Sequence, residues 1–240
     1  QIKVINSRVN LHKSNHLQEF LKKMSKAVIF DMDGVICHTN PFHSKAFKLF
    51  FEKRNLFPTE EEFQDHMYGK NNGYILSHFL GRKIEGDELA ELEFEKESLF
   101  RKIYEEHVDP IPGFLDFFHS LKSNGIKTGV ATSAPFANLE LIGGRLDLFP
   151  YLNSALASEQ VTRHKPDPEV YLKTASNLAL NPDQCVVFED SYSGVSAAKN
   201  AGMKVVGVLS SHTIEQLPIC DLYIDNYLGL DVDKVLSLLH

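Results

Sequence analysis

The stretch that decides the fold reads Ala27-Val28-Ile29-Phe30-Asp31-Met32-Asp33-Gly34. Its first four residues are all apolar and do not alternate with polar ones, which is typical of a strand buried on both faces of a parallel sheet. Asp31 and Asp33 follow where the strand ends, and two residues of extended chain put both carboxylates on one side, roughly 6 to 7 Å apart. Gly34 lets the chain turn away. One carboxylate could attack an atom while the other transfers a proton, although Asp and Gly are also ordinary turn residues.

The composition is that of a folded protein with one substantial core or a core and a smaller domain. The chain has 240 residues, 43% of them hydrophobic, and a formal net charge of -7. This charge predicts no basic surface for nucleic acid, and no apolar run approaches the roughly 18 residues that span a bilayer. The three cysteines suggest neither a disulfide framework nor a metal site and are expected to be reduced and buried. We therefore expect a cytoplasmic protein that binds neither nucleic acid nor membrane.

The sequence pattern divides the chain into three parts. Residues 1–24 are polar and mixed in charge, and they are predicted to be an N-terminal extension with Met24 as the working start. Residues 42–109 have helical periodicity and no strand pattern, which predicts an all-helical insertion. Residues 25–41 and 110–240 are expected to form one α/β core, because strands and helices alternate from Phe114 onward. The predicted fold class is a three-layer α/β/α core with a parallel sheet.

Local signals predict individual elements within these parts. Thr59 and Glu62 have the spacing of a capping box, and Asp167-Pro168 predicts a helix that begins with Asp167 as its cap and runs to about Leu180. A long helix is predicted from Asp87 to Glu106. Its apolar stripe comprises Leu89, Leu92, Phe94, Leu99, Phe100 and Ile103. Strands after the first are predicted over residues 126–131, 154–157, 185–188, 205–208 and 222–224.

Polar residues follow three of the predicted strands. They are Asp31 and Asp33 after the first strand, Thr132 and Ser133 after the second, and Glu189 and Asp190 after a later one. Ligands of open α/β sheets bind outside these carboxyl ends. Four acidic groups on one rim would repel unless a cation neutralised them, and carboxylate oxygens suit Mg²⁺. The pattern therefore predicts a magnesium site, although strand-end Ser and Thr could be caps and Glu-Asp a solvated turn.

Four segments together resemble the signature of the haloacid dehalogenase (HAD) superfamily of phosphotransferases. They are Asp31-Met32-Asp33-Gly34-Val35, Val130-Ala131-Thr132-Ser133-Ala134, Lys165-Pro166-Asp167-Pro168 and Phe188-Glu189-Asp190-Ser191-Tyr192-Ser193-Gly194-Val195. The insertion between the first two resembles the cap of the branch that includes β-phosphoglucomutase-like and phosphoglycolate-phosphatase-like enzymes. The resemblance implies an HAD-type, Rossmann-like core with an inserted helical cap domain at residues 42–109.

The resemblance also implies a role for four core residues in catalysis. Asp31 is expected to attack phosphorus and form an aspartyl phosphate, which divides one difficult displacement into two easier ones. Asp33 is expected to protonate the leaving oxygen and later to deprotonate the incoming water or hydroxyl. Thr132 would donate a hydrogen bond to a phosphoryl oxygen, and Lys165 would neutralise charge on the transferring group.

A metal site and a phosphate cradle complete the implied core. Mg²⁺ is expected to be bound by the Asp31 carboxylate, the Asp33 backbone carbonyl and Asp190, with Glu189 contributing directly or through water. Backbone N–H groups after Asp31, including that of Gly34, and the N–H of Ser133 are expected to bind the phosphate.

The insertion contributes candidate substrate-binding residues, which are His43, Lys70, Asn72 and Lys96. The segment with Lys70 and Asn72 resembles the cap loop that reaches into the site, and Lys96 stands where related members carry a lysine. Asn72 matches a position that is usually an arginine for the distal phosphate in β-phosphoglucomutases, which disfavours a mutase unless Lys70 replaces that charge. Lys70 could equally be solvated. His43 could couple cap closure to the catalytic acid or pack at the hinge.

We predict an Mg²⁺-dependent phosphatase of a small phosphorylated metabolite, with a sugar phosphate as the first candidate. A β-phosphoglucomutase is the main alternative, and an inorganic pyrophosphatase is a further one. A dehalogenase is disfavoured because such members need no magnesium and typically lack the second aspartate. A catalytically silent binding protein is disfavoured because every catalytic position is filled. The protein is expected to be a monomer or a weak homodimer.

Overall fold

The computed structural model describes residues 25–67 and 71–239. The strands are β1 (Ala27–Phe30), β2 (Lys127–Ala131), β3 (Ser154–Leu156), β4 (Cys185–Glu189), β5 (Lys204–Val208) and β6 (Leu222–Ile224). They form one parallel sheet in the order β3-β2-β1-β4-β5-β6. This is the strand order of a Rossmann-like sheet, so the predicted α/β fold is confirmed. The predicted N-terminal extension lies outside the described residues.

Strand β1 lies in the interior of the sheet, and all of its residues are buried. Phe30, its last residue, is in register with Val130 of β2 and Phe188 of β4. Val28 and Phe30 belong to the apolar cluster on one face of the sheet, and Ala27 and Ile29 belong to the cluster on the other. This double burial explains the uninterrupted apolar run, because neither face of the strand meets solvent.

Five helices lie between β1 and β2 in the described chain, and we call the first four of them together the helical segment. They are α1 (Asn40–Glu52), α2 (Glu60–His66), α3 (Asn72–Phe79) and α4 (Gly86–Tyr104). They enclose a separate apolar cluster that includes Phe47, Phe51 and Phe63. Helix α2 begins with the predicted capping box of Thr59 and Glu62, which is confirmed. The division into core and cap domains stays a prediction.

Five helices cover the two faces of the sheet. They are α5 (Phe114–Ser123), α6 (Phe136–Arg145), α7 (Glu169–Asn177), α8 (Tyr192–Asn200) and α9 (Val232–Leu236). Helices α5 and α9 contribute to one apolar cluster, and α7 and α8 contribute to the other. All three cysteines are free and buried, as expected. Among the described residues, no helix combines the length and apolarity needed to cross a membrane.

Helix α7 exists as predicted, but its predicted bounds were wrong. Pro168 forms the N-cap and the helix begins at Glu169, whose N–H donates to the side chain of Asp167 at 3.0 Å. The helix ends at Asn177 because Ala179 adopts a left-handed φ of 52°. The N–H of Leu180 then turns back to donate to the carbonyl of Ala175.

The predicted apolar stripe of α4 was wrong at one position. Phe94 is 70% exposed. The fully buried positions of α4 are instead Lys96, Glu97, Phe100 and Tyr104. Two oppositely charged residues therefore occupy the buried face of this helix, and each must find polar partners there because an unpaired buried charge is strongly destabilising.

Candidate active site

The predicted acidic residues meet at the carboxyl ends of β1 and β4. Asp31 directly follows β1, and its N–H donates to the carbonyl of Phe188 in β4 at 3.0 Å. Glu189 ends β4, and Asp190 follows it. One carboxylate oxygen from each of Asp31, Glu189 and Asp190 lies within 4.8 Å of the others. The sheet order reverses between β1 and β4, which is where ligands bind in folds of this kind.

Lys165 joins this cluster from the loop before α7. Its ammonium nitrogen lies 2.6 Å from Oδ1 of Asp31, 2.6 Å from Oε1 of Glu189 and 3.1 Å from the carbonyl oxygen of Ala131. These three acceptors match the three hydrogens of an ammonium group. The side chain is only 5% exposed. Lys165 is therefore held in one position, in contact with the carboxylate of Asp31, the residue expected to be the nucleophile.

Glu189 is anchored through both of its oxygens. Oε1 accepts from Lys165 and from the hydroxyl of Tyr171 at 2.7 Å. Oε2 accepts from the backbone N–H groups of Asp190 and Ser191 and from the Ser191 hydroxyl. With this many donors already bound, Glu189 serves as a fixed counter-charge to Lys165 and is less available to a metal than Asp31 or Asp190. Tyr171 was not identified from the sequence, since a buried tyrosine on a helix carries no signal of its own.

The carboxylates of Asp190 and Glu189 occupy space that is open only because Gly34 and Gly194 have no side chain. A Cβ on Gly34 would lie 1.9 Å from Oδ2 of Asp190, and a Cβ on Gly194 would lie 1.7 Å from Oε1 of Glu189. Gly34 also has a φ of +72°. Its N–H donates to the carbonyl of Cys37 at 2.8 Å, which makes it unavailable for the predicted phosphate cradle. Gly34 therefore contributes to the site through its missing side chain.

The electrostatics of the cluster favour a bound cation. Burial raises the pKa of Asp31 to about 7, against the opposing effect of Lys165 and with a further increase from Glu189. Burial, followed by repulsion from Glu189 and Asp31, holds the pKa of Asp190 well above its usual value. Three carboxylates face a single ammonium group here, so negative charge is in excess. The donor set of hard oxygens fits a divalent cation, with Asp31 and Asp190 as the available ligands.

Thr132 and Ser133 follow β2 at the same edge of the sheet. Thr132 is 1% exposed, and its Oγ1 accepts the N–H of Ala134 at 3.0 Å, which leaves the hydroxyl hydrogen free to donate. Ser133 is exposed. Thr132 therefore caps the turn after β2 by accepting this N–H, which was the alternative to a catalytic role. Its hydroxyl hydrogen is still available to a phosphate oxygen.

Asp33 faces the helical segment through His43 of α1. Nε2 of His43 lies 3.4 Å from Oδ1 of Asp33, and Nδ1 of His43 lies 2.8 Å from the ammonium nitrogen of Lys96. The imidazole stacks on the ring of Phe100, with 3.8 Å between the ring centroids. Burial acts to raise the pKa of Asp33, but hydrogen bonds from His43 and Thr39 contribute to a net lowering. His43 is therefore the direct contact between the helical segment and the second aspartate.

The other candidates from the insertion do not all reach the carboxylates. Lys96 is 2% exposed and donates to Glu97 as well as to His43, and Asn72 donates to Glu97 at 3.1 Å. In this arrangement both point to Glu97, and their contact with substrate stays a prediction. Lys70 lies outside the described residues. Glu97 itself was missed, although a carboxylate next to Lys96 on a helix with a broad apolar stripe was a usable signal.

A buried carboxylate paired with a lysine lies beside an acidic cluster that could hold a cation, at the switch point of a Rossmann-like sheet. This arrangement fits an enzyme that transfers a group through an acidic side chain. The chain belongs to the haloacid dehalogenase-like hydrolase family, whose model matches residues 28–208. The predicted family is therefore confirmed.

Three curated relatives are similar over most of their length. PpaX of Clostridium perfringens, which carries a provisional name as a pyrophosphatase, is 36% identical over 77% of this chain and 84% of its own. The phosphorylated carbohydrates phosphatase of Thermotoga maritima is 34% identical over 78% of this chain and 86% of its own. The beta-phosphoglucomutase of Bacillus subtilis is 32% identical over 76% and 83%, respectively.

A solved structure has the same fold. The HAD hydrolase of family IA, variant 3, from Entamoeba histolytica superposes with a TM-score of 0.83 and 26% identity. The match covers 89% of this chain and 99% of that one. The relatives' names support phosphatase or phosphoglucomutase-like activity on phosphorylated sugars.

Proposed function

We propose that the protein is an Mg²⁺-dependent phosphatase of a small phosphorylated metabolite, with a sugar phosphate as the first candidate substrate. The observation that carries this proposal is the position of Asp31, buried between Lys165 and the acidic cluster. A buried carboxylate with a cationic partner is a suitable nucleophile for phosphorus. The named phosphatase among the relatives supports the substrate class.

In the first step, an oxygen of Asp31 attacks the phosphorus atom of the substrate. A bond from Asp31 to phosphorus forms while the bond from phosphorus to the leaving oxygen breaks, and Asp33 donates a proton to that oxygen. Lys165 opposes the negative charge of the transferring group while it holds Asp31 in place. The Thr132 hydroxyl donates to a phosphoryl oxygen, since its hydrogen is free to do so.

In the second step, water attacks the phosphorus atom of the aspartyl phosphate. Asp33 accepts a proton from the water, the bond from phosphorus to Asp31 breaks, and inorganic phosphate leaves. The lowered pKa of Asp33 keeps its carboxylate ionised, which is the form that accepts this proton.

A divalent cation would be held by Asp31 and Asp190, with the Asp33 backbone carbonyl as a further proposed ligand. When bound, such a cation supplies Lewis-acid stabilisation of the phosphoryl oxygens. Of the divalent ions, Mg²⁺ suits a site with few carboxylates that leaves positions for water and substrate phosphate.

The helical segment is proposed to act as a cap that covers the site and excludes water from the leaving group. The contact from His43 to Asp33 supports this role, because it joins a residue of α1 to the proposed acid and base. Ser133, Asn72 and Lys96 remain proposed substrate-binding residues under this arrangement.

The test is phosphate release from hexose phosphates, pentose phosphates, phosphoglycolate and pyrophosphate, with Mg²⁺ and with a chelator. We expect release that requires both Mg²⁺ and Asp31, with Asp31→Ala as the blank. An Asp31→Ala protein with the wild-type rate would refute the mechanism.

The main alternative is a β-phosphoglucomutase, which the similarity to the Bacillus subtilis enzyme favours. A mutase would convert β-glucose 1-phosphate without net phosphate release, so the same samples analysed for isomerised sugar phosphate separate the two functions. Release from pyrophosphate alone would favour the further alternative, to which the provisional name of PpaX points.

A further inference from the structure

Glu97 is a buried carboxylate at the boundary between the helical segment and the core. It is 3% exposed and lies on α4. Oε1 accepts from Lys96 at 2.8 Å and from Asn72 at 3.1 Å, and Oε2 accepts from Nδ2 of Asn138 at 2.8 Å. Lys96 and Asn72 belong to the helical segment, whereas Asn138 belongs to α6 of the core. Glu97 therefore joins the two parts through one side chain.

The orientation of the Asn138 amide follows from its second partner. Arg101 of α4 donates from its guanidinium to Oδ1 of Asn138 at 2.9 Å. A guanidinium has no acceptor, so Oδ1 must face it and Nδ2 must face Glu97. Asn138 is completely buried. Two residues of α4 thus hold one core side chain through complementary hydrogen bonds, one as donor and one as acceptor.

The carboxylate of Glu97 is also linked by hydrogen bonds to Asp33, the proposed acid and base. The ammonium group of Lys96 binds Oε1 of Glu97 and Nδ1 of His43, both at 2.8 Å. A charged ammonium group can only donate, so Nδ1 of His43 accepts and the imidazole proton lies on Nε2, which faces Asp33. One chain of hydrogen bonds therefore runs from Asn138 in the core through Glu97, Lys96 and His43 to Asp33.

We propose that Glu97 is a positioning residue that couples the seating of the helical segment on the core, through Asn138, to the hydrogen bond that His43 makes to Asp33. The inference rests on the proposed function, in which Asp33 transfers protons. When α4 separates from α6, Glu97 loses its core donor and Lys96 is no longer fixed between Glu97 and His43. The Asp33 contact is then complete only when the helical segment is seated.

The test reverses one hydrogen bond. Glu97→Gln places an amide N–H₂ opposite the N–H₂ of Asn138, so two hydrogen-bond donors face each other. Asn138→Asp places a carboxylate opposite that of Glu97, so two acceptors face each other. The double variant restores a donor and an acceptor in the reverse direction. Glu95→Gln is the matched control, because Glu95 lies on the same helix and pairs with Arg54 at 2.5 Å within the helical segment.

The first readout is Mg²⁺-dependent hydrolysis of p-nitrophenyl phosphate. We expect each single variant to lower kcat by about tenfold to a hundredfold, the scale of a lost hydrogen bond to a buried charge, with KM changed by less than about threefold. The double variant should recover most of the loss, and Glu95→Gln should match the wild type. Single variants within about twofold of the control, or a double variant no more active than the singles, would overturn the inference.

The second readout is amide hydrogen exchange of the proteins without substrate. We expect each single variant to accelerate exchange in peptides covering the start of α1, the end of α4 and the start of α6, with the double variant close to wild type. Unchanged exchange in these peptides would overturn the coupling even where activity falls. This readout also separates the two claims, because a wild type that hydrolyses nothing contradicts the proposed function and leaves the exchange result to decide the role of Glu97.

Discussion

The ammonium nitrogen of Lys165 lies 2.6 Å from Oδ1 of Asp31, and both side chains are at least nine-tenths buried. Burial raises the pKa of Asp31, and Lys165 opposes that increase. The lysine therefore opposes protonation of Asp31 and also orients its carboxylate. Because both charges are removed from water, the loss of Lys165 leaves Asp31 without its cationic partner, whereas the loss of Asp31 leaves Lys165 paired with Glu189.

Lys165→Met is expected to lower kcat/KM by about a hundredfold to a thousandfold, the scale of a lost charged group at a preorganised site. Without the lysine the pKa of Asp31 rises further, so more of the nucleophile is protonated in acid. The deficit relative to wild type should therefore be larger at about pH 6 than at about pH 8. A pH profile of p-nitrophenyl phosphate hydrolysis measures this, and a deficit that is constant with pH would contradict the role in ionisation.

Asp190→Asn is expected to stabilise the metal-free protein. The pKa of Asp190 is raised in the folded state, so the folded state binds more protons than the unfolded state above about pH 4. The contribution of Asp190 to the free energy of unfolding therefore falls as pH rises. In chelator, the variant should gain about 1 to 2 kcal/mol in free energy of unfolding at about pH 8, and less at about pH 5.

Thermal unfolding with and without Mg²⁺ checks this prediction. Mg²⁺ should raise the Tm of the wild type and have little effect on Asp190→Asn, because ligand binding stabilises only a state that can bind it. A variant that is less stable than wild type in chelator at about pH 8 would show that the Asp190 carboxylate is not strained by its neighbours.

Gly34→Ala should remove activity while Gly202→Ala should not. Both glycines have left-handed φ values, +72° and +77°, so each substitution pays a backbone cost of about 1 to 2 kcal/mol. Only at Gly34 would the added Cβ meet a carboxylate, 1.9 Å from Oδ2 of Asp190, whereas Gly202 has open space. We expect Gly34→Ala to lose about a hundredfold or more in kcat, since a displaced ligand misplaces the reacting groups. Equal losses in both variants would assign the effect to backbone strain alone.

Tyr171→Phe should distinguish the two possible roles of Glu189. The Tyr171 hydroxyl donates to Oε1, the oxygen that also binds Lys165. If Glu189 acts as the counter-charge of Lys165, kcat should fall by about threefold to tenfold while the Mg²⁺ concentration for half-maximal activity stays the same. Titration of activity with Mg²⁺ measures both quantities. A shift in the Mg²⁺ requirement with kcat unchanged would instead make Glu189 a metal ligand.

The placement of Asp31, Thr132 and Glu189 at one edge of the sheet could be predicted because it depends on local patterns. Each residue ends a short apolar run, and a parallel sheet brings the carboxyl ends of its strands to the same edge. Helix bounds were harder to predict. The end of α7 depends on Ala179 taking a left-handed conformation, which is uncommon for a residue with a Cβ.

The environment of α4 could not be predicted, since it depends on partners far along the chain. Hydrophobicity placed Phe94 in the core, yet Lys96 and Glu97 are buried instead. Glu97 is tolerated there because Asn72 and Asn138, 25 and 41 residues away, donate to it. No local pattern in a sequence identifies such donors. For Gly34, the expected contact of its N–H with phosphate was wrong, because this N–H donates to a carbonyl of its own loop. Gly34 instead serves the site by having no side chain.

The sheet order has a consequence for how the protein is synthesised. β1 leaves the ribosome first, yet its two neighbours are β2 and β4, and the lysine that contacts Asp31 lies 134 residues further on. The nucleophile therefore stays in water while the helices that follow it can already pack around their own apolar cluster. Translation must proceed past Asp190 before the whole charge arrangement of Asp31, Lys165, Glu189 and Asp190 can close. A nascent chain that stops earlier carries the nucleophile without the environment that makes it reactive.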